Sequence, residues 1–222
     1  MYRIVLIVSI VVILVLAGYF LYPIFRGKFR DVVPVSDIDQ TYTSWLVDKG
    51  LSDPIPDINI VITKDNRVLY LMSGDKMIDH WTVALGMNPV GKKTDARDGK
   101  TPVGEYHITR HDLRTEYHLM LLINYPNVED ANAALNDGKI TELEHRDIMT
   151  GSNKGVEPPA DTVLGGGLGI HGGGTLRDWT DGSFAVDDKA IEILWGVCPD
   201  ETPVTIYENF TDWEMSGTLL SY

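Results

Sequence analysis

Residues that could break an amide bond are concentrated between positions 170 and 186. His171 and Ser183 lie towards the two ends of this stretch, with Asp178 and Asp181 between them. An imidazole, a hydroxyl and a carboxylate are the groups of a hydrolytic triad. However, the sequence after Ser183 lacks the second glycine of a G-x-S-x-G turn, and the three groups crowd one loop. The spacing therefore argues against a conventional serine hydrolase.

Glycines flank both candidate residues. Gly172, Gly173 and Gly174 follow the histidine, and Gly182 precedes the serine. Glycine adopts positive φ and lets a substrate backbone approach closely, although a flexible turn would equally explain Gly173 and Gly174. Residues 167–172 formally fit G-x-G-x-x-G, but no helix start follows them, so a dinucleotide site is rejected.

The elements that must hold this stretch are mostly short strands. Apolar and β-branched runs at 58–63, 68–71 and 80–85 are separated by turn residues, which predicts antiparallel hairpins. A closing strand is predicted at 203–207. Helices are predicted at 127–136, where Asn127 would cap the first turn, and at 187–195, which would end at Gly196.

The polar segment 141–159 is broken by Gly151, Gly155 and Pro158. This composition predicts a loop next to the candidate site in sequence. Loops of this length often carry function, so it is a candidate lid, although most such loops are only connections.

Several segments, taken in chain order, resemble the L,D-transpeptidase catalytic-domain family. They are Val83-Ala84-Leu85-Gly86, the stretch 98–106, Ile170-His171-Gly172, Thr180-x-Gly182 and Thr202-Pro203-Val204-Thr205-Ile206. The resemblance covers about Ile58 to Tyr207. It is strongest for the branch with Tyr125-Pro126-Asn127 and Arg177-Asp178-Trp179-Thr180. It implies a mainly β domain with short helices, a β-sandwich or mixed sheet, that acts on peptide stems of peptidoglycan by transfer or hydrolysis.

The resemblance also implies roles for individual residues. Position 183 would be the nucleophile, His171 the base, and Thr180 the group that orients the imidazole. Backbone N–H groups of Gly182 and Ser183 would stabilise the oxyanion. The candidate substrate-binding residues are Arg177, Trp179, Gly172 and Tyr125, although Arg177 could instead pair with Asp178 or Asp181. No metal or cofactor is expected. His107, His111 and His118 are spaced to suggest a metal, but no HExxH or carboxylate cluster accompanies them.

Ser183 is the departure from the family pattern, because the nucleophile there is cysteine. A thiol ionises near pH 8.5, whereas a hydroxyl hardly ionises in water at pH 7, so the chain as written is expected to have little or no activity. Three interpretations stay open. The chain is a cysteine enzyme with its nucleophile replaced, a protein that lost catalysis but kept wall binding, or a true serine hydrolase.

The N-terminal residues predict a membrane anchor. Residues 4–22 carry no charge and are about long enough to cross a roughly 30 Å hydrocarbon layer as a helix. A cleaved signal peptide is the alternative, because Ala17 could follow the small-residue pattern of a cleavage site. The apolar run continues beyond Ala17 to Pro23, which favours the anchor.

Charge excludes one class of partner. Residues 31–222 carry 15 basic and 32 acidic side chains, so this part of the chain is a poor nucleic-acid binder. The basic residues at 3, 26, 28 and 30 flank the predicted anchor, where they can meet anionic headgroups. Their distribution alone would keep the C-terminal side in the cytoplasm. The substrate implied by the resemblance instead predicts a single-pass inner-membrane protein whose domain lies in the periplasm.

We expect four parts: a transmembrane anchor at 1–25, a juxtamembrane stalk at 26–56, an L,D-transpeptidase-like domain at 57–208 and a tail at 209–222. The tail is rich in aromatic residues and is expected to pack on the domain, or else to contact a protein of an envelope complex. Cys198, the sole cysteine, is expected to be a buried hydrophobe and not the nucleophile.

Overall fold

In the computed structural model, the described residues, 34–153 and 157–216, form an eight-stranded mixed sheet. The strands are β1 (Ile58–Thr63), β2 (Val68–Ser73), β3 (Lys76–Thr82), β4 (Gly104–Thr115), β5 (His118–Ile123), β6 (Gly169–His171), β7 (Phe184–Ala185) and β8 (Pro203–Tyr207). Their order across the sheet is β3-β2-β1-β8-β4-β5-β6-β7. The predicted mixed-sheet fold with short helices is therefore confirmed.

The predicted antiparallel hairpins account for only part of the pairing. β1, β2 and β3 pair antiparallel, as do β4, β5 and β6. The two sets are joined by β8, which is parallel to β1 and antiparallel to β4, and β7 lies parallel to β6 at the edge. Parallel pairs require crossover connections, so local turn signals could not reveal them.

Five helices pack around the sheet in the described part of the chain: α1 (Val35–Lys49), α2 (Val128–Asn136), α3 (Glu142–Asn153), α4 (Asp188–Val197) and α5 (Phe210–Met215). Both predicted helices, α2 and α4, are confirmed within a residue or two at each end. Asn127 caps α2 as predicted, because its side chain accepts a hydrogen bond from Asp130 N and the Asp130 carboxylate accepts one from Asn127 N.

The prediction of a loop at 141–159 was wrong for most of that segment, which is α3. Thr141 and Glu144 form a reciprocal cap: Glu144 N donates to Thr141 Oγ1, and Thr141 N donates to the Glu144 carboxylate. Ile148 packs with Ala131 and Ala134 of α2 in a second small core. The cap and this packing together outweigh the helix-breaking signal of Gly151.

Part of the expected stalk at 26–56 belongs to the packed domain. Ile38, Trp45 and Leu46 of α1 are buried in the main core. The ring of Tyr42 lies so close to Gly196 of α4 that a Cβ there would be 2.5 Å from it. Trp45 Nε1 donates to Asp79 of β3 at 2.8 Å. α1 is thus a structural part of the domain and ties α4 to β3.

The first part of the expected tail, α5, also packs on the sheet. Trp213 is buried beside Val61 of β1 and Met72 of β2. The predicted anchor at 1–25 lies outside the described residues. Within 34–153 and 157–216, no helix is both long and apolar enough to cross a membrane.

Candidate active site

The pairing of β6 with β7 brings the predicted base and the predicted nucleophile position together. Ile170 lies opposite Phe184, and both side chains are buried in the main core. Alternate residues of a strand face opposite sides of the sheet. His171 and Ser183, next to this pair, therefore share the face directed away from the main core.

Two aromatic rings enclose the His171 imidazole, which is only 2% exposed. The Tyr117 ring stacks on it with centroids 4.6 Å apart, and the Trp179 ring meets it edge-on at 5.5 Å. Trp179 was predicted at the site. Tyr117 was not, because it belongs to the β4–β5 hairpin, far from the motif in sequence.

The tautomer of His171 is set by the backbone. Nδ1 lies 2.7 Å from the Gly172 carbonyl oxygen, which can only accept a hydrogen bond, so Nδ1 carries the proton. Nε2 is then the basic atom. Burial lowers the pKa of His171, and the hydrogen bond to Gly172 opposes this only in part. The imidazole is therefore held neutral at physiological pH.

Thr180 does not orient the imidazole as predicted. Its hydroxyl donates to the Ser183 carbonyl at 2.7 Å and accepts a hydrogen bond from Gly182 N at 3.2 Å. Thr180 therefore closes the turn that precedes the nucleophile position, while Gly172 O and the two rings orient His171. The same contact uses the Gly182 N–H, which removes it from the predicted pair of oxyanion donors.

The Ser183 side chain is half-buried, and its hydroxyl accepts a hydrogen bond from Gly169 N at 3.3 Å. In the described structure, this contact ties the start of β7 to β6, and no hydrogen bond joins Ser183 to His171. The serine is therefore not activated by His171 in this arrangement.

Glycine is required on both sides of the site. Gly182 has φ of +134°, and a Cβ there would lie 2.7 Å from the Lys100 carbonyl oxygen. A Cβ at Gly172 would lie 2.6 Å from Asp188 Oδ1 and 2.7 Å from the Tyr117 carbonyl oxygen. Gly172, predicted to bind substrate, is buried and allows the β4–β5 hairpin and the start of α4 to approach each other next to His171.

Two other predicted substrate-binding residues lie in contrasting positions. Arg177 is exposed beside the fully exposed Leu176, and it remains a candidate substrate contact. Asp178 pairs with Arg67 at 2.9 Å and not with Arg177. Tyr125 is fully buried in the main core, where burial raises its pKa and its hydroxyl lies 3.4 Å from the Leu164 carbonyl oxygen. A substrate cannot reach it, so its predicted role was wrong.

The segment 84–87 is hydrogen-bonded to residues 178–180, which precede the nucleophile position. The Leu85 carbonyl oxygen accepts hydrogen bonds from Trp179 N and Thr180 N, and Met87 N donates to the Thr180 carbonyl oxygen. The Asp178 carboxylate accepts one from Leu85 N at 2.9 Å. These contacts give a structural reason for the resemblance at 83–86, which sequence inspection located but did not explain.

Two buried lysines hold the loop 87–103, which contacts Gly182. Lys64 Nζ binds the carbonyl oxygens of Gly91 and Thr101 and the Glu208 carboxylate, at 2.8, 3.0 and 2.8 Å. Lys93 is 2% exposed and pairs with Asp98 at 3.1 Å. Its ammonium group lies 3.2 Å from where a Cβ of Gly182 would be. Sequence reasoning missed both lysines.

Cys198 and the three spaced histidines have separate surroundings. Cys198 is fully buried, and burial raises the pKa of its thiol, as expected for a residue that serves packing. His107, His111 and His118 each face a different carboxylate, those of Glu201, Asp200 and Glu192. The described residues contain no group of three side chains placed to hold a metal ion.

A comparison with protein families matches residues 57–206 to the L,D-transpeptidase catalytic domain, YkuD. The match spans more than half of the chain, so the chain belongs to the L,D-transpeptidase catalytic-domain family. A search of curated proteins found no match.

Similar solved structures include Bd1075 of Bdellovibrio bacteriovorus, at 19% identity and a TM-score of 0.47, over 71% of this chain and 50% of that one. The helical cell shape determining protein Pgp2 of Campylobacter jejuni matches at 19% identity with a TM-score of 0.45, over 76% of this chain and 55% of that one. An L,D-transpeptidase of Xylanimonas cellulosilytica matches at 14% identity with a TM-score of 0.38, over 82% of this chain and 76% of that one. The chain thus covers about half of the first two proteins.

Proposed function

We propose that the domain binds peptide stems of peptidoglycan and that its site is built for acyl transfer from a stem amide to position 183. The pairing of β6 with β7 carries the proposal, because it sets His171 and position 183 on one face. Membership of the L,D-transpeptidase catalytic-domain family supports the substrate class.

With a thiol at position 183, the chemistry follows from the tautomer of His171. Nε2 accepts the proton of the nucleophile, which attacks the amide carbonyl and forms a tetrahedral oxyanion. The protonated imidazole then gives this proton to the leaving amine, and an acyl-enzyme remains. An amine of a second stem or a water molecule resolves the acyl-enzyme, which is the difference between transfer and hydrolysis.

With serine at this position, a non-catalytic role is the second candidate. The Ser183 hydroxyl accepts a hydrogen bond from Gly169 N–H and makes none to the imidazole. A site tuned for a thiol with a neutral imidazole does not readily deprotonate a hydroxyl. The chain as written would then bind stems without turning them over, as a wall-binding or scaffold subunit of an envelope complex.

We further propose that the domain is tethered to the inner membrane and faces the periplasm. The uncharged run 4–22 supports the tether, and a cell-wall substrate supports the periplasmic side. Protease added to spheroplasts should then degrade the domain without lysis of the cells, whereas protection of the domain would place it in the cytoplasm.

The test of function compares two forms of the full chain, one as written and one with Ser183→Cys, on purified muropeptides with products identified by mass spectrometry. We expect crosslinked or trimmed stems with Ser183→Cys only. The double variant Ser183→Cys, His171→Gln is the matched control and should give far less product, because it lacks the general base. If both forms bind muropeptides and neither gives product, the scaffold role is favoured. The absence of both binding and product would refute the proposal.

A further inference from the structure

Lys93 brings a buried positive charge to the residue before the nucleophile position. Its side chain is 1% exposed, and its Nζ is 3.2 Å from the position that a Cβ of Gly182 would occupy. Gly182 has no side chain to keep the ammonium group away. A lysine this buried normally needs its charge compensated.

The contacts of Lys93 differ from those of Lys64, which anchors the same loop. Lys64 directs its ammonium group at three oxygen acceptors, two backbone carbonyls and the Glu208 carboxylate. Lys93 has Asp98 Oδ1 at 3.1 Å, and the Ala96 carbonyl oxygen lies only at 3.5 Å. A simple loop tie would use all three N–H donors, as Lys64 does. The Lys93 ammonium therefore retains donor capacity on the side of Gly182.

Asp98 pairs with the ammonium group and is also held by the backbone of the loop. Its carboxylate also accepts hydrogen bonds from three backbone amides, those of Thr94 at 2.8 Å, Asp95 at 3.2 Å and Lys100 at 2.9 Å. These amide dipoles stabilise the negative charge of the Asp98 carboxylate. The ammonium group of Lys93 lies next to Gly182, in the turn that carries position 183.

We propose that Lys93 is a positioning residue that holds its ammonium group against Gly182 and thereby stabilises negative charge on the neighbouring nucleophile. This inference rests on the proposed acyl-transfer function and adds a residue to it. An opposite charge near a thiol favours the thiolate, which is the nucleophilic form, and Lys93 Nζ lies beside the residue that precedes position 183.

The other ionisable groups near position 183 do not supply this charge. His171 is held neutral, as described above, and Tyr117 stacks on it. Asp181, in the same turn, is exposed and is an acidic residue. Lys100 presents its carbonyl oxygen to Gly182, whereas its ammonium group lies near Gly91. Asp98, the partner of Lys93, carries the opposite sign.

The test uses the full chain with Ser183→Cys and follows alkylation by iodoacetamide as a function of pH. Cys198 is fully buried, so the introduced thiol is the reactive one, and peptide mapping verifies this. Lys93→Met should raise the pKa of the introduced thiol by about one unit and slow alkylation at pH 6 about tenfold. Lys93→Arg should keep both values near those of the Ser183→Cys parent.

Two further variants separate charge from packing. Lys92→Met removes the adjacent lysine of this loop, whose half-exposed ammonium group pairs with Asp130 at 2.9 Å, and should leave the pKa of the thiol unchanged. Asp98→Asn leaves the Lys93 charge uncompensated and should lower that pKa, which gives a second test if Lys93→Met does not fold. An unchanged pKa in Lys93→Met, an equal shift in Lys93→Arg or Lys92→Met, or a raised or unchanged pKa in Asp98→Asn would each overturn the inference.

This assay needs no peptidoglycan. Absence of turnover on muropeptides would therefore defeat the proposed function, whereas a flat alkylation profile would defeat only the role of Lys93.

Discussion

His171 owes its chemistry to one backbone oxygen and two rings. The Gly172 carbonyl fixes the proton on Nδ1, and Tyr117 with Trp179 excludes water from the imidazole. Burial keeps the imidazole neutral, which is the form a general base needs. Geometry and electrostatics at this residue therefore point to the same role.

Replacing this base should abolish most of the activity that Ser183→Cys creates. In that background, His171→Gln should lower kcat/KM on a muropeptide about 100- to 10,000-fold, the usual contribution of a general base. Because the pKa of His171 is lowered, the acid limb of the pH–rate profile of Ser183→Cys should fall below pH 6.5. An acid limb well above pH 6.5, or full activity of the double variant, would contradict the assigned role.

Gly182 should tolerate no side chain. Gly182→Ala places a methyl group 2.7 Å from the Lys100 carbonyl oxygen at φ of +134°, and should lower the free energy of unfolding by about 1–3 kcal/mol. Gly138→Ala is the matched control, since Gly138 also has positive φ but no atom within 4 Å. Urea unfolding measures both. Equal losses would show that backbone conformation, and not contact with the loop 87–103, requires glycine at 182.

At the scale of elements, the site depends on parts that lie outside the motif. The loop 87–103 contacts Gly182, and the β4–β5 hairpin brings Tyr117 against His171. α1 stabilises the opposite face, where Trp45 and Leu46 enter the main core. A protein cut at about residue 52 would lose these core side chains.

The contribution of α1 can be measured directly. Trp45 is 6% exposed and hydrogen-bonded to Asp79, so Trp45→Ala should lower the free energy of unfolding by about 3–5 kcal/mol. Val47 on the same helix is 74% exposed, and Val47→Ala should change it by less than about 0.5 kcal/mol. If both variants were equally stable, α1 would be a loosely attached stalk after all.

Local signals predicted the local elements well. β1 and β2 follow from β-branched runs around a turn, and α2 follows from its capping asparagine. α3 was missed although Thr141 and Glu144 carry the signature of a capping box, because Gly151 and the polar composition suggested a loop. The motif located His171 and position 183. It could not reveal Tyr117 or Lys93, since their roles arise from packing between segments distant in sequence.

At the scale of the whole molecule, acid should destabilise the fold partly through His171. The folded pKa of this residue lies below the ordinary value of about 6.5. Between the two values the unfolded chain binds a proton that the folded chain does not, so stability falls as pH falls. Above pH 6.5 the imidazole is neutral in both the folded and the unfolded state, and the contribution of His171 to the free energy of unfolding no longer changes with pH.

To isolate this effect, the free energy of unfolding in urea is measured from pH 7.5 to 5 for the unsubstituted chain and for His171→Asn. The difference in unfolding free energy should shrink as the pH falls, because only the unsubstituted chain has a buried imidazole to protonate. The carboxylates are common to both forms and cancel. A difference that stays constant, or that grows towards pH 5, would show that burial does not lower the pKa of His171.

Trapping of the acyl-enzyme tests the central claim most directly. The full chain with Ser183→Cys is incubated with a stem tetrapeptide, and the intact protein mass is measured after an acid quench. We expect a mass increase equal to an acyl fragment of the stem, mapped to position 183 and absent when His171→Gln is added. A folded Ser183→Cys protein that binds the stem but gains no mass at position 183 would contradict the account.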